Sequence, residues 1–183
     1  MSLGVYSLYG NYGDLFSAEH ENNSEVIFDH QYMENALDYD YTGSWIDQFF
    51  SPLMMGGWEA LSPTQDLIDA YECTDGKSIG ESKLYNPEKP FENRDPRLAY
   101  SILWHGCEFG GQIYSTEGTM GNGNATRTGY TMRKYINPKN VGNEYPGWIN
   151  YILFRYAEVL LIYAEAQNEL NGPDASVYEA VNM

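Results

Sequence analysis

The chain has 183 residues, 43% of them hydrophobic, so it is long enough for one domain or part of one and is not expected to be disordered throughout. Its 26 acidic and 10 basic residues give a formal net charge of −16, which argues against nucleic acid or an anionic membrane surface as a partner. The aromatic fraction of 15%, with 17 Tyr, suits either a sugar-binding surface or a loop-rich core filled by Tyr side chains.

The first part of the chain predicts one strand, one long loop and one helix after an irregular lead-in. Ser24–Asp29 has a Val-Ile-Phe centre and predicts a short strand. Residues 35–60 are rich in Gly and aromatic residues and predict a long, ordered aromatic loop. Residues 62–73 predict a helix in which Ser62 is the N-cap and the following Pro-Thr-Gln supplies a first-turn proline and a capping-box glutamine.

The middle of the chain predicts two more strands with a loop between them. Ala99–Trp104 and Tyr130–Ile136 are rich in apolar and aromatic residues and predict short extended segments. Residues 115–129 are rich in Gly, Thr and Asn and predict an exposed loop. The expected fold class is therefore mainly α, with long ordered loops and a few short strands.

Residues 148–170 predict a long helix that is apolar nearly all round and must therefore be buried, with Trp148 as its anchor. Arg155, Glu158 and Glu165 lie close to whole helical turns apart, so we expect them to pair with one another or to meet a neighbouring helix. Only about 14 residues of the segment are mostly apolar, whereas a membrane span needs about 20. We therefore expect a core helix and not a membrane span.

Residues 175–183 predict a partner helix of which the sequence contains two turns. The small and medium-sized residues of the preceding helix, which let a second helix approach closely, are Ala157, Leu160, Ala164 and Ala166. This pattern predicts an antiparallel helix pair of the tetratricopeptide type. Since one such pair cannot bury its own hydrophobic face, we expect further pairs outside this sequence, and the whole chain to be part of an incomplete domain.

The aromatic loop contains the first candidates for a ligand site. Aromatic rings stack on the apolar face of a sugar, and neighbouring carboxylates and amides bond its hydroxyl groups. The candidates are Tyr39, Tyr41, Trp45, Trp58, Asp38, Asp40 and Gln48, with Asp47 beside them. Plain packing is the alternative for Trp45 and Trp58. Phe49 and Phe50 are expected to lie in the core.

A second group of residues has secondary or structural assignments. Trp104 and His105 are secondary candidates for ligand contact, and so is Trp148, for which anchoring of the long helix is favoured. Arg94 or Arg97 is expected to hold Asp95 and nearby carbonyl groups in a forked contact that fixes a turn before the next strand.

Catalytic and metal-binding interpretations find little support. The sequence has no Gly-x-Ser-x-Gly motif, and its three histidines lack metal-ligand spacing. A calcium ion held by Asp38, Asp40 and Asp47 is an alternative, although their spacing differs from that of an EF-hand loop. Cys73 and Cys107 are expected to be buried thiols, with a disulfide as the alternative. We expect no metal and no cofactor.

Five segments, taken in order, carry a resemblance to a known family. They are Glu21–Asp29, Pro63–Glu72 with Thr74–Gly76, Asn93–Leu98, Gly129–Tyr135 and Arg155–Glu169. Each segment alone is a weak signal, but the five in order across nearly the whole chain are specific. The chain therefore resembles the SusD/RagB family of outer-membrane nutrient-binding lipoproteins from Bacteroidetes.

The resemblance implies a SusD-like fold whose tetratricopeptide-type helices are incomplete here. It also implies that the protein binds a ligand and is not an enzyme. Such proteins lie on the outward-facing surface of the cell outer membrane and bind glycans, or peptides in some systems. They cap a SusC-like TonB-dependent transporter that imports the captured oligomer. The resemblance also implies membrane attachment through a lipid anchor, which we expect to lie outside this sequence.

Two other classes of function stay open. One is a helical-repeat scaffold that binds only a protein partner. The other, which is less favoured, is a glycoside hydrolase, whose retaining form needs two carboxyl groups about 5 Å apart. With 26 acidic residues in the chain, the sequence singles out no such pair.

Overall fold

The computed structural model describes residues 4–34, 43–117, 126–140 and 146–183. The strands and helices in these ranges are, in chain order, β1 (Val26–His30), α1 (Ile46–Phe50), α2 (Gln65–Ala70), α3 (Pro96–Ser101), β2 (Ile102–Trp104), β3 (Glu108–Phe109), β4 (Gln112–Ile113), β5 (Tyr130–Met132), β6 (Tyr151–Arg155), α4 (Tyr156–Asn171) and α5 (Ala175–Asn182). The described strands form three separate antiparallel pairs, β1 with β6, β2 with β5, and β3 with β4. The prediction of a mainly helical fold with a few short strands is confirmed.

The first of two compact units combines the chain up to Gln31 with Asn150–Met183. Its sheet pairs β1 with β6, and Val26 lies opposite Arg155. The strand predicted from the Val-Ile-Phe centre is confirmed as β1. Aromatic and branched side chains on both strands suit this pairing, because cross-strand contacts between such residues stabilise a two-stranded sheet.

The prediction of a helix starting at residue 148 is wrong, since α4 begins at Tyr156. The preceding Tyr-Ile-Leu-Phe-Arg segment forms β6 because it pairs with β1, and tertiary pairing overrides its local helical pattern. Trp148 therefore lies outside the helix that it was expected to anchor.

Glu25 links the sheet to the start of α4. Its side chain is 3% exposed and accepts hydrogen bonds from Arg155 Nη1 at 2.6 Å and from Tyr9 N at 2.8 Å. Its carbonyl oxygen accepts from Tyr156 N at 2.8 Å. Arg155 thus pairs with Glu25 and not with Glu158, which is exposed, because Arg155 ends a strand and does not share a helical stripe.

A short turn joins α4 to α5. Gly172 has φ of +77°, a region that favours glycine, and its N–H donates to Asn168 O at 2.8 Å. Asp174 then caps α5 by accepting from Ser176 N at 2.8 Å and Val177 N at 3.2 Å. The caps explain why one helix ends and the next begins within three residues.

The two helices form a hairpin with a small buried cluster made of Ala164, Val177 and Ala180. Apolar side chains elsewhere on α4 are exposed, because the two-turn partner covers only one face of the helix. Its exposed apolar side chains are Val159, Leu161, Ile162, Tyr163 and Leu170. Among the described residues, no helix has the length and apolar character that crossing a membrane requires.

The described residues of the second unit, Tyr32–Ile149, form two hydrophobic clusters. The larger consists of Met55, Leu103, Phe109, Tyr114 and Ile136. The smaller consists of Ile68, Leu98 and Ile102. Together they fix α2, α3 and the short strands as one support for the loops described below.

In this unit the start of one helix and the start of one strand differ from prediction. The N-cap of α2 is Thr64, whose hydroxyl accepts from Leu67 N at 3.3 Å, and Ser62 lies two residues before it. The strand predicted at residues 99–104 begins only at Ile102, because the residues before it belong to α3. Asp95 is the N-cap of α3, and the proline after it occupies the first helical position.

Candidate functional site

The predicted ligand residues are only partly within the described chain. Four of them lie outside the described residues: Asp38, Tyr39, Asp40 and Tyr41. The other three, Trp45, Gln48 and Trp58, lie close to one another in the second unit. The structure therefore describes the candidate site from residue 43 onward.

Trp45, Phe49 and Trp58 form an exposed aromatic cluster. Trp45 and Trp58 are 44% and 54% exposed, and their ring centroids are 6.2 Å apart. Phe49 is 39% exposed and meets Trp58 edge to face, with centroids 4.9 Å apart and planes at 89°. The prediction that Phe49 lies in the core is therefore wrong, whereas Phe50 does pack against the larger hydrophobic cluster.

A short helix and a return of the main chain bring the three rings together. Trp45 is the N-cap of α1, and Phe49 follows one turn later on the same side. The N–H of Trp58 donates to Gln48 O at 2.8 Å, and the N–H of Ala60 donates to Phe49 O at 2.8 Å. These bonds hold the segment that carries Trp58 against α1.

Gly57 makes this return possible. A Cβ atom at this position would lie 2.4 Å from Ser51 O, so a larger residue would push the two segments apart. The preceding Gly56 has φ of +110°, which residues with a side chain rarely adopt. The Gly-Gly pair is thus part of what positions Trp58.

Asp47 is in α1 but is 2% exposed, in contrast to the exposed rings of the aromatic cluster. Its carboxylate accepts from Asn137 N at 2.9 Å and from Asn140 Nδ2 at 3.2 Å. Gly147 lies so close that an added Cβ would be 2.8 Å from Asp47 Oδ2. Asp47 therefore holds α1 to the segment around Asn137 and Asn140 through buried hydrogen bonds. The neighbouring Gln48 is half-buried, and its side-chain amide donates to Gly56 O at 3.4 Å.

Glu59, the residue after Trp58, forms a buried pair with Tyr114. Glu59 is 5% exposed and Tyr114 is fully buried, and the Tyr114 hydroxyl donates to Glu59 Oε1. The other oxygen of Glu59 accepts from Leu53 N at 3.2 Å. Burial raises the pKa of Glu59 above its ordinary value of 4.5 and is only partly offset by these hydrogen bonds.

An open groove of about 730 Å³ extends from the aromatic cluster. It is lined by Trp58, residues 59–62, Thr126 and Arg127, and we call it the Trp58 groove. Arg127 lies within the loop predicted at residues 115–129, and its residue pattern predicts no role for it. No local signal joins it to Trp58, because the two residues are brought together only by the fold.

The secondary candidates differ in their surroundings. Trp104 stacks on Phe91, with ring centroids 4.2 Å apart and planes at 14°, and so takes part in packing. His105 is exposed, and its Nδ1 lies 3.3 Å from both Thr116 N and Thr116 Oγ1. Neither residue belongs to the aromatic cluster.

Arg94 ties three segments of the main chain together. Its guanidinium donates to Ile68 O at 2.6 Å, to Tyr71 O at 2.8 Å and to Pro90 O at 2.8 Å. Arg97 instead makes the forked contact with Asp95, with Nε at 2.9 and 3.0 Å from the two carboxylate oxygens. This contact holds the pKa of Asp95 below its usual value.

Cys73 is buried and Cys107 is half-buried, and the two thiols are not joined in a disulfide. Burial raises the pKa of the Cys107 thiol, which favours its protonated form. In the described ranges, no three His, Cys, Asp or Glu side chains come together in a way that would hold a metal ion.

Comparison with known proteins assigns the chain to a family. A sequence model of the SusD family matches residues 24–183. The SusD-like protein P25 of Formosa agariphila is 25% identical to the chain over 203 aligned residues, which cover 100% of this chain and 35% of that protein.

Solved structures agree with this assignment. A SusD-like carbohydrate binding protein from Bacteroides fragilis superimposes with a TM-score of 0.85 at 32% identity, covering 98% of this chain and 37% of that one. A SusD superfamily protein from Bacteroides vulgatus gives a TM-score of 0.67 at 26% identity, covering 100% of this chain and 36% of that one. The chain thus spans little more than a third of the length of these relatives. It belongs to the SusD family.

Proposed function

We propose that this chain is part of a cell-surface protein that binds an oligosaccharide or polysaccharide and delivers it to a TonB-dependent outer-membrane transporter. The aromatic cluster is the proposed contact surface for the sugar. Two indole rings and one phenyl ring that face solvent together are costly to leave exposed, and such patches often mark a binding site. This exposed cluster is the observation that carries the proposal.

The chemistry of the cluster suits a sugar. The C–H face of a pyranose ring is apolar and flat enough to lie on an indole, whereas its edge carries hydroxyl groups. Trp45 and Trp58 are tilted by 43° to each other, which favours a ligand that follows a curved surface over a single flat ring. The Bacteroides fragilis relative is named a carbohydrate binding protein, which supports the same ligand class for this chain.

We favour binding over hydrolysis. The two described carboxyl groups nearest the cluster in sequence are Asp47 and Glu59, and both are buried and hydrogen bonded within the protein. Groups held in this way support the loop and are poorly placed to protonate or attack a glycosidic bond. Tyr39, Tyr41, Asp38 and Asp40 remain proposed contributors to the same surface.

Family membership supports a proposed partner and a proposed location. We infer a SusC-like transporter as the partner, the outward-facing surface of the outer membrane as the location, and a lipid anchor as the membrane attachment. The exposed apolar face of α4 offers a second candidate function, a helical scaffold that binds a protein partner without a glycan.

Affinity electrophoresis of the full-length protein against a panel of polysaccharides tests the proposal. At least one polysaccharide is expected to retard the wild-type protein. Trp58→Ala and Trp45→Ala are each expected to weaken that binding about tenfold, since an aromatic contact of this kind contributes about 1 kcal/mol or more. Tyr178→Ala, which removes an exposed aromatic side chain in α5, is the matched control and should bind like the wild type.

If no polysaccharide retards the protein while the transporter still co-purifies with it, the scaffold function replaces the proposed one. If reducing sugar is released, and release is lost when a single carboxyl group is changed, the protein is a hydrolase. Circular dichroism of each variant confirms that it is folded.

A further inference from the structure

We propose that the Trp58 groove binds a negatively charged substituent of the glycan, a carboxylate or a sulfate ester, through Arg127. The inference rests on the proposed function and narrows its ligand class. It places a sugar ring on Trp58 and the anionic group of that ring, or of the next one along the glycan, against the guanidinium.

The groove joins an aromatic surface to a cation. Trp58 belongs both to the aromatic cluster and to the lining of the groove, so a sugar chain lying on the rings continues directly into it. Arg127 lines the same groove and is exposed. A guanidinium binds carboxylate and sulfate oxygens in a forked geometry, which makes it a selective contact for these groups.

The main chain beside Arg127 is held in place by two hydroxyl groups. Thr126 is 3% exposed, and its Oγ1 lies 3.0 Å from Ser62 Oγ and 2.6 Å from Tyr130 O. Ser62 Oγ in turn accepts from Arg127 N at 3.4 Å. The arginine thus extends from a fixed wall of the groove.

The acidic group of the groove lining does not neutralise this arginine. Glu59 is the one acidic residue among those lining the groove, and its carboxyl group is buried and bonded to Tyr114 and to Leu53 N. Across the part of the chain that the structure describes, no carboxylate forms an ion pair with Arg127. The guanidinium therefore remains available to a ligand.

The net charge of −16 does not exclude an anionic ligand at this position. At 0.15 M salt the Debye length is about 8 Å, so exposed charges farther from the groove than this are largely screened. A contact at hydrogen-bond distance is screened much less. Arg127 then decides between a charged and a neutral sugar.

Calorimetric titration of the full-length protein at 0.15 M NaCl and pH 7 tests this. Two matched pairs of probes separate the sources of charge: oligogalacturonate against its methyl ester for carboxylate, and κ-carrageenan oligosaccharides against the same oligosaccharides after desulfation for sulfate. We expect the charged member of at least one pair to bind about tenfold more tightly than its neutral counterpart.

Arg127→Gln is expected to remove that preference by weakening binding of the charged member about tenfold, with a smaller loss for the neutral member, whose hydroxyl groups the glutamine amide still contacts. Arg127→Lys should recover part of the preference, because the charge returns without the forked geometry. Lys83→Gln is the matched control, since it removes an exposed cation that does not line the groove. Trp58→Ala should weaken binding of both members of the pair.

The outcomes separate this inference from the proposed function. If only neutral polysaccharides of the wider panel bind, in a Trp58-dependent way, glycan binding stands and the anionic subsite is wrong. The subsite is also wrong if a charged probe binds but Arg127→Gln behaves like Lys83→Gln. If no glycan of either kind binds, both proposals fail.

Discussion

The hydroxyl of Tyr114 donates a hydrogen bond to the carboxyl group of Glu59, inside the protein and next to the exposed Trp58. Glu59 also has φ of +47°, a left-handed conformation that costs free energy for a residue with a side chain. Burial raises the pKa of Tyr114 well above its usual range, so it remains a hydrogen-bond donor at neutral pH. The pair therefore holds a strained residue in the segment that carries the candidate site.

Tyr114→Phe is expected to lower the free energy of unfolding by about 1–3 kcal/mol, because it leaves an oxygen of the buried Glu59 without its donor. Urea unfolding of the chain measures the change. Tyr178→Phe removes a hydroxyl from an exposed tyrosine and should change the free energy by less than about 0.5 kcal/mol. Equal stability of the two variants would show that the Tyr114 contact does not stabilise the fold.

Because the pKa of Glu59 is raised, its contribution to the free energy of unfolding should fall as the pH rises. A carboxyl group whose pKa is higher in the folded than in the unfolded protein favours folding when protonated. This contribution is complete below the ordinary pKa of 4.5 and is lost as the pH rises through the folded-state value. Relative to Glu59→Gln, whose amide does not titrate, the wild type should lose free energy of unfolding between pH 4.5 and pH 7.

Urea unfolding of both proteins across this range gives the difference directly. Burial also raises the pKa of Glu21, but that group is present in both proteins and its effect cancels. Glu88→Gln, at an exposed position, is the control and should track the wild type at every pH. A difference between wild type and Glu59→Gln that is constant with pH, or that grows in favour of the wild type as the pH rises, contradicts the prediction.

Arg155→Met is expected to destabilise the chain by about 3–5 kcal/mol, since it leaves the buried carboxylate of Glu25 without its cation. The guanidinium also lies over the buried ring of Phe16, at 5.8 Å from its centroid, and this contact is lost as well. Adding Glu25→Leu to Arg155→Met should recover part of the loss, because the unpaired charge is then removed.

Glu158→Gln provides the comparison for this pair. Glu158 is exposed, so its replacement should change the free energy of unfolding by less than about 0.5 kcal/mol. A large effect of Glu158→Gln together with a small effect of Arg155→Met would restore the pairing expected from helical spacing. Urea unfolding of all four proteins distinguishes the two arrangements.

Local signals predict β1 and the helix hairpin, because their patterns are complete within a few residues. The Val-Ile-Phe centre of β1 and the Gly-Pro-Asp turn before α5 are examples. The boundary between β6 and α4 is different, since the apolar segment before Tyr156 suits a strand or a helix equally well. Its pairing with β1, which lies at the other end of the sequence, decides between them.

The candidate site shows the same division. Composition alone points to Trp45 and Trp58, but Phe49 joins them only because the loop contains α1, which places it one turn after Trp45. Tyr114 is 55 residues from Glu59 in sequence, and a chain this acidic offers many other partners. Contacts that depend on the folded main chain therefore cannot be predicted from residue patterns alone.

The exposed apolar face of α4 leads to a prediction about association. Val159 and Ile162 lie on one side of the helix, three residues apart, and both side chains are exposed. Contiguous apolar patches on a surface drive self-association or aggregation. We therefore expect the chain of residues 1–183, expressed alone at micromolar concentration, to form dimers or larger species.

Sedimentation velocity measures this association, and two variants locate its cause. Val159→Lys with Ile162→Lys should shift the chain toward monomer, because two charges replace the apolar contact. Asn168→Lys adds a charge at an exposed polar position of the same helix and should leave association unchanged. A wild-type chain that sediments as a monomer and melts cooperatively in calorimetry would show that the exposed face is tolerated without a partner. Equal association of all three proteins would place the contact elsewhere on the surface.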